Sequence, residues 1–436
     1  MLSKRQLAFC FSFAVLPCVR AAPTFSRDVA PILYRHCAAC HRPGEFAPFS
    51  VLSYKDVAQH SRAIARAVQT RTMPPWKPEP GYGSFANART LSEKEIRTVV
   101  QWAEAQAPEG DPRTLPAPPR AESEWSLGVP DQIVTMADTF TVPAFAADDY
   151  RCFAIPAALT RDRYVRAMEF RPSNRQVVHH ALVFVDYSRT ARELAARGGG
   201  SYSCFGTPGF LPGGSLGGWS PGAGPVRLPD GAALRLRAGS DIVLQLHFHS
   251  KGETELERSS VGLYFTDQAP TRHVMDVALV SRDIDIAPGE RAFKVTDHFE
   301  LPVDVHAVGI IPHAHYICRE IKGWAILPDG RKRWLIWIKD WDFNWQDQYR
   351  YADSVALPAR TRVEMEFTYD NSAANRHNPN SPPKRVVWGP GSTDEMAGLH
   401  IQVIPDRDED VAELGQALWG KVMRMVGGSF YTKPKP

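Results

Sequence analysis

Three things are scarce in this chain, and each scarcity removes a class of protein. Charge bias is the first: 51 Lys and Arg stand against 48 Asp and Glu, a formal net charge of +3 in 436 residues. A main partner of nucleic acid needs a concentrated basic face, which so even a balance does not offer. The second is apolar length. After the N-terminus no hydrophobic run is long enough to span a bilayer, and mean hydropathy is −0.29. The third is cysteine, with seven in the whole chain, too few for a scaffold held mainly by disulfides. Glycine is outnumbered by proline, 31 to 36, which favours turns and strand edges over long helices. At 44% hydrophobic and 23% charged, the composition is that of a globular protein, and the length suggests two to four domains.

The N-terminus takes two cysteines out of the count. Lys4 and Arg5 precede an apolar stretch from Leu7 to Leu16, and Val19-Arg20-Ala21 follows as a small-residue cleavage site. Residues 1–21 therefore read as an export signal, and Cys10 and Cys18 leave with it. A lipoprotein anchor on Cys18 fits poorly after Pro17. Export to a periplasm or beyond places the remaining five cysteines in an oxidising compartment.

Cys37-Ala38-Ala39-Cys40-His41 has the spacing for covalent haem attachment. Two thiols a helical turn apart meet the two vinyl groups, and the next residue brings an imidazole to the iron. A zinc half-site would need a second ligand pair, and this segment has none; a redox CxxC is the other alternative. Ser26, Ser53 and the Ser92-Glu93-Lys94-Glu95 box mark the starts of three short helices. A soft thioether or a second imidazole would complete the iron. Met73, in Thr72-Met73-Pro74-Pro75-Trp76, is the favoured axial ligand, with His60 or His36 as bis-histidine alternatives. A core methionine is the competing reading. Together these segments resemble a small class I cytochrome c, expected over 22–112. Pro112, Pro116, Pro118 and Pro119 then point to a stiff linker over 113–125.

Beyond Trp125 the texture changes to short alternating or apolar runs between turn clusters. These include Gln132–Thr135, Gln176–Asp186, Ile242–Phe248, Val261–Phe265, Val305–Ile311, Trp334–Ile338 and Val363–Thr368. They predict antiparallel strands. About 310 residues exceed one sandwich, so the expectation is two all-β sandwiches, 126–285 and 286–436, the second closed by a helix that Gly427-Gly428 ends. The predicted fold is thus multidomain, a small all-α cytochrome c domain followed by two jelly-roll-like sandwiches.

Histidines gather in or beside three of those strands: His179-His180, His247 with His249, and His313 with His315. Residues i and i+2 of a strand face one way, so His313 and His315 suit one metal. His179 and His180 point to opposite faces of a regular strand and share a metal only where the backbone bends. A strand histidine is more often a hydrogen-bonded core or surface residue; three groups favour metal. Imidazole suits zinc, copper, iron and nickel, and a methionine ligand points to copper. Met396 in Gly391-Ser392-Thr393-Asp394-Glu395-Met396 supplies one.

The order HH, LQLH, HxH, TDEM resembles the copper type II, ascorbate-dependent monooxygenases, which include peptidylglycine α-hydroxylating monooxygenase and dopamine β-monooxygenase. The resemblance covers roughly 126–436. It implies an electron-carrying copper on His179, His180 and His247. It implies a second copper on His313, His315 and Met396 that binds oxygen, with substrate in the cleft between two sandwiches. His249 remains a rival to His247. The residues that hold a peptide carboxylate in the amidating branch are Ile311 and His400 here, which disfavours a C-terminal glycine peptide as substrate. Three cysteines remain outside the haem motif; Cys152–Cys204 is the expected pair, and Cys318 the expected buried thiol. The expected activity is hydroxylation of a C–H bond of a small organic substrate with O2. The expected cofactors are haem c and two copper ions, and the reductant is ascorbate or a periplasmic donor, with a redox-partner protein as one source. A non-catalytic electron-transfer or copper-binding protein is the alternative, and a sandwich hydrolase or glycan-binding module with chance histidines a third.

Overall fold

A computed structural model describes residues 22–429 apart from 44, 46, 120–124, 146–147, 221–222 and 250–251. The expected export signal lies outside the described residues. The chain divides into two compact units.

The first unit comprises residues up to 42, 49–74 and 91–118. Helical segments at Phe25–Val29, Ala30–His36, Tyr54–Gln59, Ser61–Gln69 and Glu93–Glu104 enclose a core of Phe25, Val29, Leu33, Val57, Val68, Val99 and Trp102. The expected caps hold at two of three places. Ser53 accepts from the Asp56 amide, and Ser92 and Glu95 form a reciprocal capping box. Ser26 does not cap; it is buried inside the first helical turn.

The second unit holds four main antiparallel sheets. One sheet joins Gln132–Thr135, Ser260–Thr266, Arg163–Arg171, Val226–Arg227 and Leu234–Leu236. The next has the order Tyr202–Ser203, Asp149–Pro156, Asp241–Phe248, Val178–Asp186, Gly214–Trp219. Val134, Met168, Phe170 and Leu263 of the first share a core with Ile155, Val183, Leu244 and Leu246 of the second. A further sheet orders Met275–Ser281, Ala397–Pro405, Val305–His313 and Tyr349–Leu357; its companion orders Arg291–Glu300, Arg362–Asp370, Cys318–Ile326 and Lys332–Ile338. Those two share a core that includes Leu279, Ile310, Leu399, Ile321, Ile336 and Phe367. Alternation of apolar and polar residues builds such half-buried strands, as in Arg362–Asp370, whose even positions are the more exposed. Each strand run expected from the sequence contains a strand, though the run expected from Gln176 begins only at Val178. The C-terminal helix runs Asp410–Ser429, past the glycine pair expected to stop it.

The expected fold class does not stand. The chain is predominantly β and falls into two compact units rather than an all-α domain followed by two sandwiches. No separate all-α cytochrome domain is evident among the described residues. Residues 43–48 and 75–90, inside the span expected to be that domain, belong to the β-rich unit. The physical reason is aromatic: Trp76 and Phe85 pack edge-on or tilted against Tyr349, and Tyr82 packs edge-on against Trp334 and Trp337. Main-chain bonds reinforce this, from Glu79 to the Trp337 carbonyl (2.7 Å) and from Ala86 to the Arg350 carbonyl (2.9 Å).

Candidate metal centre

His247 sits near the end of Asp241–Phe248, a strand buried along its whole length. Its neighbours in register are Tyr150 on one side and His180 on the other. Beyond that point the register shifts: His247 faces His180, but Phe248 faces Val178. His179 is the extra residue of a β-bulge, and a bulge bends the strand and re-aims a side chain. This is the bend that adjacent histidines need to share a metal. One nitrogen from each of His179, His180 and His247 lies within 4.8 Å of the others. The Nδ1 atoms of His179 and His180 are 3.3 Å apart, and those of His247 and His180 are 3.4 Å apart. Imidazole nitrogens about 2.0–2.1 Å from one tetrahedral ion stand about 3.3–3.4 Å from each other, so the trio fits a metal. His249, two residues on, is exposed.

Asp148 supports the trio. Its Oδ1 accepts from His247 Nε2 (2.9 Å), and its Oδ2 accepts from the Ser392 amide (3.0 Å) and hydroxyl (2.7 Å). Burial works to raise the Asp148 carboxyl, but hydrogen bonds from His247 and Ser392 outweigh it and hold the group well below the usual carboxylate range. Its φ of +53° lies in the left-handed region, which aspartate tolerates better than most residues. Tyr150 stacks on His247 with ring centroids 4.1 Å apart.

The second histidine pair stands at the end of Val305–His313. His313 is the last residue of the strand and pairs with Gly398; His315 lies just past it. Their rings are 5.3 Å apart. Each donates its Nδ1 proton to an oxygen, His313 to Gln346 Oε1 (2.6 Å) and His315 to the Asp394 carbonyl (3.1 Å). Nε2 is thereby left with its lone pair, the arrangement a metal-binding imidazole needs. Met396 precedes the strand that pairs with His313, and its amide and carbonyl are bonded to Glu395 and Tyr369. Met396 stands two residues before Gly398, the last ladder partner, with His313, of that pair of strands.

Four of these imidazoles are poised to be neutral. Burial, then the neighbouring histidine His247, lowers His179 to about 3; burial with His313 beside it lowers His315 to about 3. Burial lowers His313 to about 4 and takes His180 well below the ordinary value. Neutral imidazole is the form that binds a metal.

Phe343 lies between the two groups. It is buried, stacks on His179 (4.8 Å) and touches the rings of His315 (5.5 Å) and Tyr316 (4.4 Å). Trp341 is buried too and donates to the His315 carbonyl (3.1 Å). Glu395, absent from the expected site, accepts from the amides of His315 (2.8 Å), Ile317 (2.8 Å), Cys318 (3.2 Å) and Met396 (3.1 Å). Asp148 and Glu395 had no spacing signal; a carboxylate directly before a candidate ligand was the one hint.

Cys152 and Cys204 are joined by a disulfide, and Cys318 is buried. Gln245, opposite Cys152 and two residues before His247, sets its amide nitrogen 3.5 Å from Cys204 Sγ.

In the helical unit, His41 donates Nδ1–H to the Phe49 carbonyl (3.1 Å), which leaves Nε2 with its lone pair. The Phe49 ring lies against both His41 (4.7 Å) and His60 (4.1 Å). Burial, with Cys40 beside it, pushes the Cys37 thiol up to about 12, opposite to the lowered values of redox-active CxxC thiols. Met73 is 37% exposed, which removes the core-methionine reading. His36 is engaged with Glu95 (3.1 Å).

No family model matches the chain, and no curated protein does. Among solved structures, the major capsid protein P2 from bacteriophage PM2 is 12% identical over 63% of this chain and 97% of that one, with a TM-score of 0.28. PNGF-II is 10% identical over 62% and 65%, also at 0.28. The VP2 subviral particle of infectious bursal disease virus is 10% identical over 63% and 72%, at 0.19. Likenesses this slight carry no argument about fold or activity. No helix among the described residues is long and apolar enough to cross a membrane.

Proposed function

We propose that this chain is an exported copper- and haem-dependent monooxygenase that hydroxylates a C–H bond of a small organic substrate with O2. In this reading His179, His180 and His247 hold an electron-carrying copper, and His313, His315 and Met396 hold a second copper. Cys37, Cys40, His41 and Met73 hold a haem that supplies electrons. The observation that carries the reading is the grouping of one nitrogen from each of His179, His180 and His247 within 4.8 Å, with the Nδ1 atoms of His179 and His247 3.3 and 3.4 Å from that of His180, beside a second histidine pair whose Nε2 atoms are left unprotonated.

Bound copper and haem supply one-electron redox chemistry and, at the thioether-bearing set, activation of dioxygen. The protein's own groups do the rest. Asp148, Gln346 and the Asp394 carbonyl fix imidazole tautomers. Burial favours the neutral form of His179, His313 and His315, and Phe343 packs between the two groups. Three imidazoles hold both copper oxidation states with little rearrangement, whereas two imidazoles and a thioether favour Cu(I).

Metal analysis of the full chain tests this first: two coppers and one covalent haem are expected. A chain that takes up neither defeats the proposal. Oxygen uptake with ascorbate and candidate substrates follows. Two coppers without substrate-dependent uptake would leave a non-catalytic copper or electron carrier as the function.

A further inference from the structure

We propose that Asp148 is a positioning residue shared by both candidate centres, one carboxylate that sets a ligand of the first and anchors the loop of the second. The inference rests on the copper reading and deepens it. A carboxylate only accepts, so the 2.9 Å contact from its Oδ1 places the His247 proton on Nε2. Nδ1 then keeps its lone pair, and that atom lies 3.4 Å from His180 Nδ1. Without the acceptor at Nε2, the His247 proton is free to move to Nδ1, where it blocks a metal. His247 is 1% exposed, so no bulk water replaces the lost partner.

The other oxygen acts on a different part of the chain. Ser392 donates both its amide and its hydroxyl to Oδ2 and is itself buried. Two residues on, the Asp394 carbonyl accepts from His315 Nδ1; four residues on is Met396. Asp148 therefore touches the histidine trio directly and the second set through one short loop, across 244 residues of sequence. Partners of this kind alter metal affinity about 10–100-fold when removed.

Asp148→Asn alters the carboxylate that serves both arms, whereas Ser392→Ala removes the hydroxyl donor to Oδ2, keeps the amide donor and leaves the His247 contact in place. Copper affinity is measured on the full chain by competition with a chromophoric Cu(I) chelator, and the Cu(II) state by electron paramagnetic resonance. Asp148→Asn is expected to weaken the trio's copper about 10–100-fold and to change its resonance spectrum, which a purely structural ion pair would not do. Ser392→Ala is expected to leave the trio's spectrum unchanged and to weaken the second copper by up to about tenfold. Nitrogen-15 shifts of selectively labelled histidines in the wild type give a reading that needs no variant: His247 should be the Nε2–H tautomer. Wild-type loading with two coppers, an unaltered Asp148→Asn spectrum and an Nδ1–H tautomer at His247 would overturn this inference alone. A wild type that binds no copper but shows the Nε2–H tautomer would instead sink the copper reading, and the metal role of Asp148 with it.

Discussion

Glu395→Gln sets two opposed effects against each other at one buried side chain. Burial outweighs the hydrogen bonds this carboxyl accepts and leaves Glu395 raised to about 8, which favours the neutral acid near pH 7. Four backbone amides, of His315, Ile317, Cys318 and Met396, donate to its two oxygens and favour the anion. An anion offers four acceptor positions to four donors. A protonated carboxyl would turn its own O–H toward one of them, and glutamine copies that state with an NH2 facing two N–H groups. Leaving a buried donor unsatisfied costs about 1–3 kcal/mol. Two stranded donors therefore amount to about 2–6 kcal/mol, and the geometry leads us to expect that loss in Glu395→Gln. Urea unfolding at pH 7, analysed by linear extrapolation, reads it directly. Hydrogen exchange at the His315 and Met396 amides should quicken in parallel. A Glu395→Gln protein as stable as the wild type, within about 0.5 kcal/mol, would mean that the acid is the native form and the donor count is wrong.

Three further outcomes follow from the same structure. Replacing Cys152 and Cys204 by alanine opens a 52-residue separation, and chain entropy puts the loss at about 4 kcal/mol, readable as a lowered urea midpoint. Lowering the pH should destabilise the metal-free protein. His179, His313 and His315 have native values of about 3, 4 and 3, below the unfolded value near 6.5, so the unfolded chain binds more protons. Stability is present above pH 6.5 and drains as pH falls toward those values, by up to about 1.4 kcal/mol per pH unit for each histidine; urea midpoints that stay level from pH 6.5 to 4.5 would contradict it. Met396→Ile should keep the histidine-only copper in a resonance spectrum and abolish hydroxylation, and full turnover would remove the thioether from the chemistry.

The candidate ligands were legible because imidazoles leave a local mark. His313-Ala314-His315 is a two-residue period, and Cys37-Ala38-Ala39-Cys40-His41 a fixed spacing. What supports the ligands left no such mark. Asp148 meets His247 across 99 residues and Ser392 across 244, and a lone aspartate beside a turn has no pattern to read. The bulge that lets His179 and His180 cooperate is a register shift against a strand some 70 residues away, visible in neither strand alone. The fold-class expectation failed for a related reason. Helical periodicity tells which residues form each helix, but not that Trp76, Tyr82 and Phe85, between two of those helices, have aromatic partners at 334–351.

Those aromatics have a consequence for how the protein can be taken apart. The chain changes unit at 42/43, 48/49, 74/75, 90/91 and 118/119, so the haem-motif unit is stitched to the β-rich one by five covalent crossings rather than one. A single cut at the proline-rich stretch would leave the pieces connected. A truncation that begins after residue 118 would also strip residues 75–90 from the sheets they line, uncovering Tyr349 and Tyr351. Neither unit is a cassette: the interleaving makes its loss or exchange in one recombination event a change to both.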